Sequence, residues 1–408
     1  MFLDLLRRRN PKFIEAVQIL HQNGQLPTNA FILDLDIIEA NAALFKQQAD
    51  KFGLKTFAMT KQVGRNSSFC AAIKKAGINK AVAVDMAGAI ACHRAGLDIG
   101  HLGHLVQVPR QEANFAATLK PDYWTVFNRI KAEEAAKAAK LASHDQALMA
   151  RIRAEGDVFY KGHEGGFLAK DIINIANMFD ELAGGHFAGI TTFPALLFDL
   201  ETGEVKPTPN LNTLTLAREA LEKAGRTNIE VNAPGTTSSA VLSALANAGA
   251  TQVEPGNGLH GTTPLHAVQD LPELPSMLYL TEVSHQVDNV SYCFGGGLYI
   301  DPVFPDYQVK AIISNEPTAS NKDLLSVEIP AAEAIDYYGM IDNVSGKARP
   351  GSTVIFGFRS QAFVTRALTV GVSGIQSGNP KVEAIENPFG ETVQWPNAFD
   401  PLNNEVIT

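Results

Sequence analysis

The chain has 408 residues, with 34 Lys and Arg against 43 Asp and Glu for a formal net charge of −9, and it is 45% hydrophobic and 19% charged. That is the composition of a globular protein with enough chain for one large domain and a smaller one, and not of a disordered chain. An acidic balance with no basic block beyond Arg7-Arg8-Arg9 argues against a nucleic-acid partner, and Cys70, Cys92 and Cys293 lack the spacing of a disulfide framework or a structural zinc site.

In chain order, MFLDLLRRRNPKF has an acidic residue inside its short apolar run and does not read as a signal peptide. No apolar run is long enough to cross a bilayer, so no membrane partner is expected and the cytoplasm is the expected location. Residues 11 to 25 carry a helical period, with Phe13, Ala16, Val17 and Leu20 on one face. Ala30 to Leu35, AFILDL, reads as a buried strand, followed by a helix from Ile37 to Phe52.

Strands are then expected at Lys55 to Thr60, Lys80 to Asp85, Leu102 to Val108, Tyr123 to Phe127, Ala147 to Arg153, Phe187 to Thr192, Ile229 to Asn232 and Ala250 to Glu254, with helical segments between them. Apolar strands joined by helices imply parallel pairing, and eight such units fit a (β/α)8 barrel. AFILDL is one strand too many for that ring and is expected to pair with the C-terminal region. The alternation stops near residue 270, where Pro272 and Pro275 bracket an acidic turn. Beyond it, Leu278 to Val287, Gly297 to Ile300, Val309 to Ile313, Leu324 to Ile329, Thr353 to Phe358 and Ala367 to Val372 read as strands of a mostly β domain. The expected divisions are therefore an N-terminal helical segment (1–27), the barrel (28–270), and the β-domain with its tail (271–408). The tail from Asn379, rich in Pro, Asn and acidic residues, is expected to wrap a surface or be partly disordered.

Three features converge on chemistry. In TFAMTKQVGRN, Lys61 ends the first barrel strand, where partial burial would disfavour its charge and leave an amine able to form a Schiff base. The plain alternative is a lysine reaching past the strand end to solvent. Glu254 ends the eighth strand, which lies beside the first in a closed ring; alternatively it forms a buried salt bridge. The turn Gly235, Thr236, Thr237 and Ser238 after strand seven, with Gly256 and Asn257 after strand eight, offers backbone N–H groups and a helix start to a phosphate, or simply caps the helix. Together they describe a pyridoxal 5′-phosphate site. Lys61 condenses with the aldehyde, Glu254 faces the ring nitrogen, and the phosphate sits over the two turns.

The lysine motif TKQVGRN, the segment VAVDMAGAIACHRAGL and EPGN resemble fold-type III pyridoxal phosphate enzymes, the alanine racemase and ornithine decarboxylase superfamily. The lysine segment is most similar to the amino-acid racemase branch, and the chain as a whole to alanine racemase-like proteins of the YhfX type. The resemblance covers residues 28 to about 265 well. It implies a barrel followed by a β-domain that takes up the first strand, an amino-acid substrate, and a head-to-tail homodimer with active sites shared between subunits. Decarboxylases of the superfamily carry EPGR. Asn257 replaces that arginine here, which shifts phosphate binding toward the backbone. Alanine racemases set an arginine against the ring nitrogen, so Glu254 resembles the decarboxylase and aldolase branches instead. The usual stacking histidine is missing, leaving Thr192 or Phe193 to face the ring.

By the same resemblance a second acid–base group comes from a partner subunit's tyrosine or cysteine. Tyr338 and Cys293 lead the candidates, ahead of Tyr337, Tyr292 and His285. Arg359 in GFRSQAF is a candidate for a substrate carboxylate. His285 and Asp288 alone are too few for a metal site, and none is expected. The expected function is a pyridoxal phosphate-dependent enzyme acting at an amino-acid α-carbon, a racemase first, with a decarboxylase, a D-amino-acid aldolase or a non-catalytic pyridoxal phosphate-binding protein as alternatives. A cofactor-free Schiff-base aldolase would not need the phosphate turns.

Overall fold

The computed structural model describes residues 1–315, 324–331, 334–359 and 361–396. Eight parallel strands form the barrel. The first is split into Lys55–Thr56 and Ala58–Met59, and Lys80–Ala83, Asp98–Leu102, Tyr123–Val126, Gln146–Arg153, Gly185–Thr191, Glu230–Asn232 and Gln252–Val253 follow. They pair in sequence order. The two halves of the first strand close the ring, with Thr56 opposite Val253 of the eighth strand and Met59 opposite Val82 of the second. Several strand-to-helix turns end in a short polar side chain that caps the following helix. Asn66 accepts from Phe69 N–H at 3.1 Å, Asp85 from Gly88 N–H at 2.6 Å and Asn128 from Lys131 N–H at 3.0 Å.

The third strand differs from the sequence expectation: it runs over Asp98–Leu102 rather than Leu102 to Val108. Its middle residue is Gly100, because a Cβ there would collide with the Phe57 ring, and Gly103, at φ +78°, ends it. A strand interrupted by glycine and histidine carries too little apolar signal, so the apolar residues of the following loop drew the assignment. The shift places His101 on the strand.

Six antiparallel strands of the β-domain close on themselves: Met277–Val287, Val290–Phe294, Tyr338–Asp342, Leu324–Glu328, Lys310–Ser314 and Thr353–Phe356. The early strand, Ala30–Asp34, joins this domain as the surplus in the barrel count requires. It lies between Met277–Val287, antiparallel, and Leu368–Ser373, parallel. Lys381–Glu386 forms the outer strand, so the start of the tail is built into the sheet; residues 397–408 lie outside the described residues.

Gly297 to Ile300, expected as a strand, is instead a loop. Gly296 at φ +115° and the close approach of Gly297 to the Tyr279 ring turn the chain, which carries Tyr299 and Pro302 to the wall of the barrel cavity. The helix Pro11–Gln22 buries Phe13, Val17 and Leu20 against Ile32, Leu278, Ile355 and Val370, on the face its period predicts, and a second helix, Phe2–Arg9, precedes it. No helix among the described residues is long and apolar enough to cross a membrane.

Candidate active site

The C-terminal ends of the barrel strands and two β-domain loops enclose a cavity of about 540 Å³, with Lys61, His104, Glu254 and Phe363 in its wall. Lys61 opens a single turn, Lys61–Val63, straight after the split first strand. Burial pushes its ammonium below the ordinary lysine range; Arg65 adds to this, while Asp85 and Glu254 oppose it. The Phe363 ring lies 5.4 Å from Nζ.

The rest of the motif holds this turn in place. Gly64 sits at φ +62°, where a Cβ would come within 2.7 Å of Thr369 Cγ2. Arg65 Nη2 donates to both oxygens of Asp85, at 3.1 and 3.2 Å, and Nη1 donates to Pro388 O, and Asn66 donates to Thr369 O at 3.2 Å. TKQVGRN thus delivers the lysine and also joins the barrel to the β-domain.

Glu254 is 5% exposed and sits in a polar chain that crosses the barrel interior. Its Oε1 accepts from His101 Nδ1 at 2.6 Å and from Asn232 Nδ2 at 2.9 Å. His101 Nε2 lies 2.6 Å from Thr125 Oγ1, and Thr191 Oγ1 donates to Asn232 Oδ1 at 2.8 Å. Since the carboxylate only accepts, His101 donates to it through Nδ1–H. Burial raises the cost of the Glu254 charge, but the hydrogen bonds from His101 and the Asn232 amide oppose it, and the carboxyl is held below its usual range. Its second oxygen, Oε2, is buried without a hydrogen-bond partner, 3.5 Å from His104 Nε2. Burial drives His104 down to about 3, so that ring is neutral. An ionised carboxylate with one vacant oxygen at a cavity wall fits a protonated ring nitrogen. Ligand atoms of His101, His104 and Glu254 also lie within 4.8 Å of one another, close enough to share a cation.

The phosphate turns are close together. Gly235, Thr236, Thr237, Gly256 and Asn257 all line the cavity. The N–H groups of Thr237, Ser238, Gly256 and Asn257 meet no protein acceptor among the described residues, and Ser238 Oγ and Gln62 Oε1 are buried without partners. Unlike the sequence expectation, the helix start contributes little. Glu273 from the interdomain turn already accepts Ser239 N–H at 2.6 Å, so anion-binding capacity rests in the turns themselves.

Other expectations need correction. Thr192 is buried outside the cavity wall, 3.4 Å from Asn210 Nδ2, and Phe193 lines the cavity in its place. Cys293 is fully buried in the β-domain, its thiol pushed up to about 12 by burial, which removes it as an acid–base group. Tyr338, expected to act in a partner subunit's site and not in its own, stands in an outer aromatic cluster, edge-on to His285 at 5.0 Å, and outside this chain's cavity. Arg359 does line the cavity, but Nε and Nη2 are already paired with Asp301. Sequence reasoning missed His101, His104 and Gln62. The two histidines followed from the misplaced third strand, and Gln62 gave no signal beyond its place next to Lys61.

This fold defines a class, and comparison with known proteins agrees. A family profile described as alanine racemase, N-terminal domain, matches residues 33–264, and one described as YhfX-like, C-terminal domain, matches residues 278–382. The chain belongs to the alanine racemase-like, fold-type III pyridoxal phosphate family, in its YhfX-like division. It is 36% identical over 395 residues to the uncharacterized protein YhfX of Escherichia coli (strain K12), covering 96% of this chain and 100% of that one. Among solved structures, D-threonine aldolase from Filomicrobium marinum is similar at TM-score 0.65 and 15% identity, covering 90% of this chain and 96% of that one. Alanine racemase from Clostridium difficile 630 gives 0.62 and 14%, with 89% and 99% covered. D-threo-3-hydroxyaspartate dehydratase from Delftia sp. HT23 gives 0.61 and 17%, with 89% and 97% covered. At such identities the likeness is one of fold, and the three reactions differ.

Proposed function

We propose that the chain is a pyridoxal 5′-phosphate-dependent enzyme acting at the α-carbon of an amino acid, and that the reaction is racemisation. One observation carries the reading: an amine driven toward neutrality at Lys61 and an ionised Glu254 with a vacant oxygen face a single cavity that also exposes unpaired turn amides. Bound there, the cofactor supplies the electron withdrawal that loosens the substrate α-proton. Lys61 holds it covalently and carries a proton to or from that carbon. Glu254, fixed by His101 and Asn232, keeps a proton on the ring nitrogen. Gly235 to Ser238, Gly256 and Asn257 take the phosphate, and the Phe193 and Phe363 rings exclude water.

The domain divisions 1–27, 28–270 and 271–408, a cytoplasmic location and a head-to-tail homodimer belong to the same reading. In such a dimer the partner subunit's Tyr338 would approach the cavity mouth. A carboxylate at the ring nitrogen favours decarboxylase or D-amino-acid aldolase chemistry as the second reading, and cofactor binding without turnover is the third.

Purified protein given pyridoxal 5′-phosphate should absorb in the visible, and borohydride should fix a pyridoxyl group on the peptide containing Lys61. Lys61→Ala should lose both signals, and a colourless protein that takes up no cofactor refutes the reading. In deuterated water a racemase places α-deuterium in both enantiomers, whereas amine product identifies a decarboxylase.

A further inference from the structure

The racemase reading requires an acid–base group on the substrate face away from Lys61, and this chain carries a candidate of its own. In a ring of eight strands in sequence order, the loop after strand five lies across the mouth from the loop after strand one. Strand five is Gln146–Arg153, and its loop brings Tyr160 and His163 to the cavity wall.

That loop is held at both ends. Asn210 brackets Val158, accepting from its N–H and donating to its carbonyl, each at 2.9 Å. Asp157 accepts from Thr213 Oγ1 at 2.7 Å. Beyond it, the fully buried Arg151 has no ion-pair partner among the described residues and spends its donors on three carbonyls: His163 O at 2.5 Å, His104 O at 3.3 Å and Phe193 O at 3.5 Å. A buried guanidinium is thus used to tie together the loops after strands three, five and six. The His163 ring packs 6.0 Å from Phe193 and 5.7 Å from Tyr160, and its nitrogens make no hydrogen bond among the described residues. It is exposed at the mouth and can exchange protons with solvent.

We propose that His163 is the second catalytic acid–base group, working across the cavity from Lys61; the proposal rests on the racemase reading. In one direction the Lys61 amine takes the α-proton and the His163 imidazolium delivers one to the opposite face. One C–H bond breaks and one forms, leaving an ammonium and a neutral ring; the reverse direction starts from those states, and solvent at the mouth interconverts them. The charged groups acting on His163 are Arg151 and Lys61, which together with burial lower its pKa, and Glu164, which raises it. Lys61 and His163 line the same cavity.

Two measurements test this. NMR titration of the His163 C2–H signal in protein without cofactor, identified by its loss in His163→Asn, should show an apparent pKa that rises when Lys61 is replaced by Ala; an unmoved titration overturns the proposal. With cofactor, single enantiomers of the proteinogenic amino acids in deuterated water identify the one that is inverted. With that substrate His163→Asn should lose inversion by about 100-fold or more while exchange with retention, which needs only Lys61, persists within about tenfold. Inversion near the wild-type rate in His163→Asn, with loss in Tyr338→Phe, hands the role to the partner subunit and overturns the proposal while the racemase reading stands. No exchange with any amino acid overturns both.

Discussion

Acidification from pH 7 to pH 5 should cost the cofactor-free fold about 6 kcal/mol, and the loss should follow three histidines. His104, His260 and His266 are each 1% exposed, and burial drives each down to about 3 from an ordinary 6.5. Nε2 of His260 meets no hydrogen-bond partner that would welcome a proton. In the unfolded chain all three take up protons below about pH 6.5 while the folded chain stays neutral, so stability is full above that value and falls as pH drops toward 3. At about 1.4 kcal/mol per pH unit, the 1.5 units down to pH 5 give about 2 kcal/mol per histidine. The total is a large part of the roughly 5–15 kcal/mol of a typical fold. Asp34, whose carboxyl burial raises, works in the opposite sense but only within the carboxyl range. Urea unfolding followed by circular dichroism at pH 7, 6 and 5 measures the slope, expected near 4 kcal/mol per unit below pH 6 and shallower by about 1.4 in His260→Gln. A loss under about 1 kcal/mol by pH 5 would refute the assignment of neutral buried rings.

Replacing Glu254 by Gln keeps an acceptor for His101 and Asn232 but removes the charge; kcat should fall about 10- to 100-fold, the worth of one charge-assisted hydrogen bond, while the melting temperature holds or rises. Gly64→Ala meets both a left-handed φ and the Thr369 methyl, so chemical unfolding should show a loss of roughly 1–3 kcal/mol, part of which Thr369→Ala restores. Cys293→Ala should leave steady-state kinetics unchanged within about twofold, since general acid–base participation is worth about 100-fold or more. A large kinetic effect there would return the cysteine to the site.

How much was legible in the sequence depended on whether the deciding contacts were local. Lys61, Glu254 and the turns at 235–238 and 256–257 end apolar strands, so counting units around a ring was enough to bring them together. The surplus of AFILDL followed from the same count, because a ninth strand has no place in a closed ring of eight. His101 and His104 escaped because Gly100 and Gly103 serve packing against Phe57 and the Thr125 carbonyl, contacts invisible along the chain. In the β-domain the strands Val290–Phe294 and Tyr338–Asp342 were missed although Asp288, at φ +50°, marks a tight hairpin. Their paired residues lie 44 to 52 positions apart in sequence, and Gly339 breaks the apolar alternation. Cys293 and Thr192 had the right chemistry, but local pattern says nothing about which side of a sheet or strand end faces the cavity.

The position of Ala30–Asp34 between two strands from the far end of the chain also constrains synthesis. The ribosome releases this segment, whose apolar residues Phe31, Ile32 and Leu33 become fully buried, well before either neighbour exists. At roughly 5–20 residues per second, the approximately 240 residues up to Met277 occupy tens of seconds, and the parallel neighbour comes later still. Meanwhile the barrel can close on its own strands and keep the early strand tethered beside the site of the future sheet. The nascent chain therefore carries an unpaired apolar edge through most of translation, and a chaperone that binds extended apolar segments has its natural target there.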